Sequence, residues 1–448
     1  MIHTPHTLES FLTLCNEHQI HTVEIAAPDT QGHLRGKRVP VDRFFATCVH
    51  KGVNIADAMF VFDMQNDLPD NEFVNMETGY LDACLMPDVS TGRLLTHRPG
   101  YALVFSDAFG EDGKPHPLSP RAVLAKQIER CREQGLDPFV ATELEFYLCD
   151  ADWDRVQNHI QYSSLTDALE LEEVIADMRA ALAGAGIEVE GSNAEYGPGQ
   201  IEINCGPADA MTTADNTVLY KSIVRQVAVQ HGLRATFMPK PFTEESGSGM
   251  HVHTSLNAEG VNAFADAQHL PNELMAQWTA GQLAHAPAMS LISAPTVNGP
   301  KRVRPYTFAP THVLWGLDNR TVLARCVVAP GSSANRVEFR QAGSDANPYL
   351  MLAAILAAGS DGLSQALELP AMTEGDGYTN PGEATALATN LAGAIEAFKG
   401  STLAGLLGDD FAASYVSLAQ AEVALAAEHS PDVDEVNDWE RARFLEFS

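Results

Sequence analysis

TELEFYL, residues 142–148, decides how the rest of this 448-residue chain is read. In a strand, side chains alternate between faces, so Glu143 and Glu145 project from one side while Leu144 and Phe146 turn to the other. The stretch before it, PRAVLAKQIERCREQG (120–135), carries helical periodicity. Ser119 and Pro120 suit its opening and Gly135 its end. A helix feeding a strand that bears two carboxylates on one face begins an α/β unit. Paired glutamates can hold hard cations, but alternating charge on the wet face of a sheet reads the same, so further stretches must decide.

Three do. In EYGPGQIEIN (195–204) Glu195 and Glu202 flank a Gly-Pro-Gly turn, which can return two carboxylates to one cavity. ESGSGMHVHTSL (245–256) puts His251, His253 and Ser255 at strand spacing behind Gly247 and Gly249, whose missing side chains permit close backbone approach by a ligand. NRVEFRQAGSDANPYL (335–350) offers Arg336, Glu338 and Arg340 on one strand face. Lys301, Arg302, Arg304, Arg320, Arg325, Arg336 and Arg340 put seven of the 28 basic residues within forty positions. In a chain with 59 acidic residues, that concentration suggests an anionic ligand. A glutamate-rich cavity with histidine suits Mg²⁺ or Mn²⁺ rather than zinc, and clustered arginines suit the oxygens of a nucleoside triphosphate.

The net charge of −31 opposes binding to nucleic acid or an anionic membrane. Seven scattered cysteines without a CxxC pair read as free thiols in a reducing compartment, so a cytoplasmic location is expected. Short apolar runs between turn signals from Thr7 to about Asp107 suggest a small α+β domain. FGEDGKPHPLSP (109–120) reads as a linker. The expected division is therefore residues 1–108 and 109–448. Helical runs are expected at NPYLMLAAILAAGSDGL (347–363), ATALATNLAGAIEAFKGS (384–401) and NDWERARFLEFS (437–448).

Taken together, TELEF, the Glu195 to Glu202 element, SGSGMHVH, NGPKR, WGLDNRT, RVEFR and SDANPYL resemble the glutamine synthetase superfamily, in order and over most of the chain. The resemblance implies an α+β protein: a small N-terminal β-grasp domain, then a large glutamine-synthetase-type catalytic α/β domain. It also implies a double ring, usually a dodecamer, with active sites shared between subunits. One metal site would use Glu145, Glu195 and Glu202, the other Glu143, His251 and Glu338, with two or three Mg²⁺ or Mn²⁺ ions per site. Gly247, Arg302, Arg320 and Arg340 would hold glutamate. His253, Ser255, Arg320, Arg325 and Arg336 would serve ATP, and Arg320 and Arg340 would act in catalysis.

Two departures bear on the nucleophile. The Asp-Gly-Ser-Ser element that serves ammonium in glutamine synthetases has no clear counterpart in GVNIADAMFVFDMQND (52–67). In RPYTFAPTH (304–312), Phe308 stands where those enzymes carry a glutamate before Ala-Pro. An aromatic ring offers apolar or cation–π contact in place of a carboxylate. The expectation is thus an ATP-dependent γ-glutamyl-amine ligase acting on a polyamine, an alkylamine or an aromatic amine such as aniline, with Phe308 in the amine pocket. Glutamine synthetase using ammonia is the first alternative, and a non-catalytic structural or regulatory relative the second. Ser246 and Gly299-Pro300 also depart from the family pattern near the glutamate subsite. No adenylylation motif is recognisable around Tyr378 in TEGDGYTNPGE (373–383).

Overall fold

A computed structural model describes residues 6–166, 169–265, 269–430, 432 and 434–448. The N-terminal part carries strands β1 (Thr22–Pro28), β2 (Leu34–Pro40), β3 (Val53–Ala56), β4 (Asp82–Pro87), β5 (Arg93–Leu94) and β6 (Tyr101–Phe109). They form a six-stranded sheet in the order β2-β1-β6-β4-β3, with β5 beside β6. β1 and β6 run parallel at its centre, and the other pairs are antiparallel. Phe11, Val23, Ile25, Phe44, Phe60, Leu85 and Val104 fill the core beneath it.

The helix Pro120–Glu133 opens with proline at its first turn, where no amide hydrogen is missed, and Gly135 follows its end at φ +77°. Then come β7 (Asp137–Cys149), β8 (Val189–Ala194), β9 (Gln200–Cys205), β10 (Ala208–Asp209), β11 (Arg234–Thr236), β12 (Met250–Ala258), β13 (Val261–Asn262), β14 (Trp315–Leu317), β15 (Ala324–Val327) and β16 (Arg336–Phe339). They make a ten-stranded sheet in the order β14-β15-β16-β12-β7-β9-β8; β10 and β11 also pair with β7, and β13 with β12. The long strand β7, which contains TELEFYL, lies at its middle.

One face of this sheet is apolar. Leu144, Phe146, Ile201, Ile203, Met250, Val252, Val337 and Phe339 are all buried, against helices from the larger core. The helix Pro348–Ser364 is buried on every side over its first fifteen residues, which explains an alanine- and leucine-rich run with no polar stripe. Its N-cap, Asn347, accepts from the amides of Tyr349 and Leu350. The apolar face fixes the register of the strands, and the register places the polar face.

One expected helix is shorter than the sequence suggests. Of residues 384–401 only Leu391–Phe398 is helical, capped by Asn390. Ahead of it the backbone is extended and bonded to residues 311–313: Val313 donates to the Thr385 carbonyl and Leu387 to that of Thr311. Strand-like tertiary pairing overrides alanine's helical preference there. The helix Asp409–His429, by contrast, was not anticipated. The terminal run holds the helix Asp438–Phe444.

Candidate active site

Strand register assembles the site. Glu143 lies opposite His251, and Glu145 opposite Glu202. Glu338 lies opposite His253 on one side and Arg325 on the other. Directly opposed residues in antiparallel strands hold their side chains about 5 Å apart. Five strands thus deliver the acidic and basic groups to one polar face, and the acidic groups gather as two clusters.

The first cluster is Glu145, Glu195 and Glu202, whose carboxylate oxygens come within 4.8 Å of one another. Glu145 Oε2 accepts the Gly249 amide at 2.7 Å, and Glu195 Oε1 accepts Asn193 Nδ2 at 2.8 Å. Burial, then the charge of Glu145, pushes the carboxyls of both Glu195 and Glu202 well above the ordinary range. Three converging carboxyls, of which Glu202 is buried and the other two half-buried, fit a hard divalent cation, whose charge would let all three ionise.

The second cluster carries its own cations. His251 Nδ1 lies 3.5 Å from both Glu143 and Glu338. Arg325 Nη1 donates to Glu338 Oε2 at 3.0 Å, and Arg340 Nη1 donates to Oε1. Burial alone would raise the Glu338 carboxyl, yet Arg340 and the two imidazoles hold it down to about 2. Glu143 is likewise held far below its usual range: burial opposes this, but contacts with His251 and His253 prevail.

Ligand atoms of Glu143, His253 and Glu338 fall within 4.8 Å of one another, so distance alone would admit His253 to a metal set in place of His251. Proton placement argues otherwise. Arg336 Nε donates to His253 Nδ1 at 3.1 Å, so a ring bearing one proton would carry it on Nε2. That nitrogen faces Glu143 Oε1 at 2.9 Å, an ion-pair distance without hydrogen-bond alignment. A protonated nitrogen has no lone pair to give a metal, whereas His251 is free of such a donor.

Glu143, His253, Ser255 and Arg336 line a cleft of about 290 Å³ together with Phe139 and Asn335. The proposed nucleotide residues His253, Ser255 and Arg336 therefore share one wall. Arg325 reaches Glu338 and Asp318. Arg340 lies just past the end of β16, so alternation along the strand does not aim it. Its Nη1 contact with Glu338 does, and its Nε is buried without a partner. Arg320 is exposed on the turn after β14 and joins none of these contacts. Phe308 is 57% exposed, and its carbonyl accepts Arg340 Nη2 at 3.4 Å.

The glycines of ESGSGMHVH have a different first duty from the one expected. A Cβ on Gly247 would lie 2.6 Å from Arg302 Cγ, and one on Gly249 would lie 2.5 Å from Arg302 Nη2. Their missing side chains make room for buried Arg302, which donates to the Gln341 carbonyl at 3.1 Å. Reading the sequence also passed over Gln200. Its Nε2 donates to the Gly247 carbonyl at 3.0 Å and Ser248 Oγ at 3.2 Å, joining the Gly-Pro-Gly turn to the glycine loop. Its only signal was its place between Gly199 and Glu202.

The family model for the glutamine synthetase catalytic domain matches residues 117–443. A glutamate–isopropylamine ligase from a Pseudomonas species is 35% identical over 447 residues, covering 96% of each chain. A gamma-glutamylethanolamide synthetase from Streptomyces coelicolor is 35% identical over 458 residues, covering 99% of this chain and 96% of its own. The solved structure of GmaS in complex with ADP superposes with a TM-score of 0.83 at 29% identity, covering 96% of this chain and 98% of that one.

Proposed function

We propose, since this chain belongs to the glutamine synthetase family, that it is an ATP-dependent ligase joining the γ-carboxyl of L-glutamate to an organic amine. The observation that carries this reading is a charged floor of two acidic clusters and buried arginines beneath a segment that presents Phe308. The floor suits phosphoryl transfer and the ring suits an amine with a carbon substituent. The full-length relatives, named for isopropylamine and ethanolamide, point the same way.

Glu145, Glu195 and Glu202 would hold one divalent ion, and Glu143, His251 and Glu338 a second. Bound there, such ions supply positive charge to the triphosphate and the transferring group. Arg336, His253 and Ser255 orient the nucleotide from the cleft wall. Arg302 and Arg340, both buried, direct guanidinium groups toward substrate carboxylate and the transferring phosphoryl group. The γ-carboxylate of glutamate attacks the γ-phosphorus of ATP, giving an acyl phosphate and ADP. The amine nitrogen then attacks the acyl carbon, phosphate departs with the electron pair, and the nitrogen loses a proton. Phe308 and the backbone around it keep water from that carbon.

Members of this family usually form oligomers, and a ring with sites completed by neighbouring subunits is part of the proposal. No helix among the described residues is long and apolar enough to cross a membrane.

The test is glutamate-dependent phosphate release from ATP and Mg²⁺ against ammonium, methylamine, isopropylamine, ethanolamine, putrescine, spermidine and aniline, with each amide verified by mass spectrometry. An organic amine is expected to outperform ammonium. Preference for ammonium would make the protein a glutamine synthetase, and silence throughout would favour a non-catalytic relative.

A further inference from the structure

The segment between Arg302 and β14 has no regular structure and is nonetheless fastened. Tyr306 and Phe308 adopt φ of +65° and +58°, a region costly for bulky side chains, and both rings are largely exposed. Thr307 Oγ1 donates to the carbonyls of Arg302 at 3.2 Å and Arg304 at 2.8 Å, closing the turn upon itself.

Two outside groups hold its far end. Arg340 bonds the Phe308 carbonyl, and the Tyr378 hydroxyl donates to the Ala309 carbonyl at 3.1 Å. The Tyr378 ring also meets Tyr306, centroids 5.4 Å apart and tilted by 54°. Tyr378 comes from a distant stretch that is itself anchored: Asn319 Nδ2 donates to the Gly375 carbonyl at 2.8 Å, and the Gly377 amide donates to Thr321 Oγ1 at 2.9 Å. Half-burial raises the phenol above its ordinary pKa, against the opposing charges of Arg340 and Arg302, so the hydroxyl remains a proton donor.

We infer that Tyr378 is a positioning residue that latches the 303–310 segment over Arg340, and that with Tyr306 and Phe308 it decides whether amine or water reaches the acyl phosphate. This rests on the ligase reading above. With an amine, a C–N bond forms, the C–O bond to phosphate breaks, and one proton leaves the nitrogen. With water in the same role, a C–O bond forms, glutamate is regenerated, and the outcome is hydrolysis of ATP to ADP and phosphate. The latch acts on the ratio of these two routes.

The experiment compares the wild type with Tyr378→Phe, which keeps the ring and removes the hydroxyl. The readout is moles of amide per mole of phosphate, using the best amine of the panel. One neutral hydrogen bond shifts such a partition by roughly two- to tenfold, so amide yield per phosphate should fall by that factor while KM for ATP is unchanged. Simple loss of folded enzyme would lower both products together and leave the ratio intact, which overturns the latch. Substrate-free chymotrypsin digestion gives a second readout: cleavage after the exposed Tyr306 or Phe308 should quicken by a similar factor in Tyr378→Phe, and an unaltered rate also overturns it. If the wild type forms no amide with any amine, the ligase reading falls, and with it the partition role, while the digestion still reports on the latch.

Discussion

The two acidic clusters each take one glutamate from β7, two residues apart and on one face, yet they are balanced in opposite ways. Glu145 shares its surroundings with two further carboxyls, accepts the Gly249 amide, and has the Arg302 guanidinium within electrostatic reach. Glu143 shares its own with two imidazoles and, through Glu338, with two guanidinium groups. Burial therefore raises the carboxyls of Glu195 and Glu202 and fails to raise those of Glu143 and Glu338. One strand thus supplies a cluster that calls for a cation and another that is already neutralised. A cation entering the second must compete with Arg325 and Arg340, which suits a place where charge shifts as the phosphoryl group moves.

The largest expected effect comes from the balanced side. Glu338→Gln keeps shape while removing the charge shared by Arg325, Arg340 and His251. Amide formation should fall by at least the roughly 10–100-fold that even indirect partners of a metal ligand cost. Far-ultraviolet circular dichroism should not change. Turnover within a factor of three of wild type would break the comparison. Glu338→Ala is a poorer probe, because Glu338 is only 1% exposed and its loss strands the buried Arg340 guanidinium, at about 3–5 kcal/mol.

The uncompensated side should respond in the opposite sense. In metal-free protein above neutral pH, Glu202→Gln removes one member of a like-charged group whose folded-state pKa is raised. A raised carboxyl stabilises the fold when protonated, and that contribution is lost as pH rises, so the neutral amide should restore it. The melting temperature should increase, by a stability gain on the order of 1 kcal/mol. Added Mg²⁺ should stabilise wild type more than the variant, while ligase activity in the variant falls sharply. A lowered melting temperature would show that the three carboxyls are not in electrostatic conflict.

Why the clusters were legible in sequence and other parts of the site were not follows from local geometry. Alternation along β7, β12 and β16 fixes which face Glu143, Glu145, His251, His253 and Glu338 occupy, and alternation is visible in the letters themselves. The apolar partners of those residues, such as Leu144 and Val252, then leave one register open to the sheet. No such rule governs Arg302 threading past Gly247 and Gly249, because that contact joins residues far apart in the chain. Tyr378 is silent for the same reason: its partner is a backbone carbonyl, which has no sequence signature. The shortened helix at Leu391–Phe398 shows tertiary pairing overruling composition. Arg320, assigned by resemblance alone, is exposed and makes none of the contacts that gather its fellow arginines.

The smallest expected effect sharpens the comparison at its edge, where the balanced cluster meets the nucleotide cleft. Arg336 Nε orients His253 by donating to Nδ1, and its Nη1 donates to the Ala334 carbonyl at 3.0 Å. Arg336→Lys keeps a positive charge on the wall but loses the planar fork that makes both bonds at once. His253 would then be free to turn, and ATP would meet a less ordered wall with its charge largely intact. KM for ATP should rise by roughly three- to tenfold, the worth of one such hydrogen bond, with kcat little changed. The split between the two constants is the informative part. A fall in kcat at constant KM would place Arg336 at the transferring phosphate instead of the ground-state nucleotide, and the oriented His253 would then belong to the chemistry as much as His251 does.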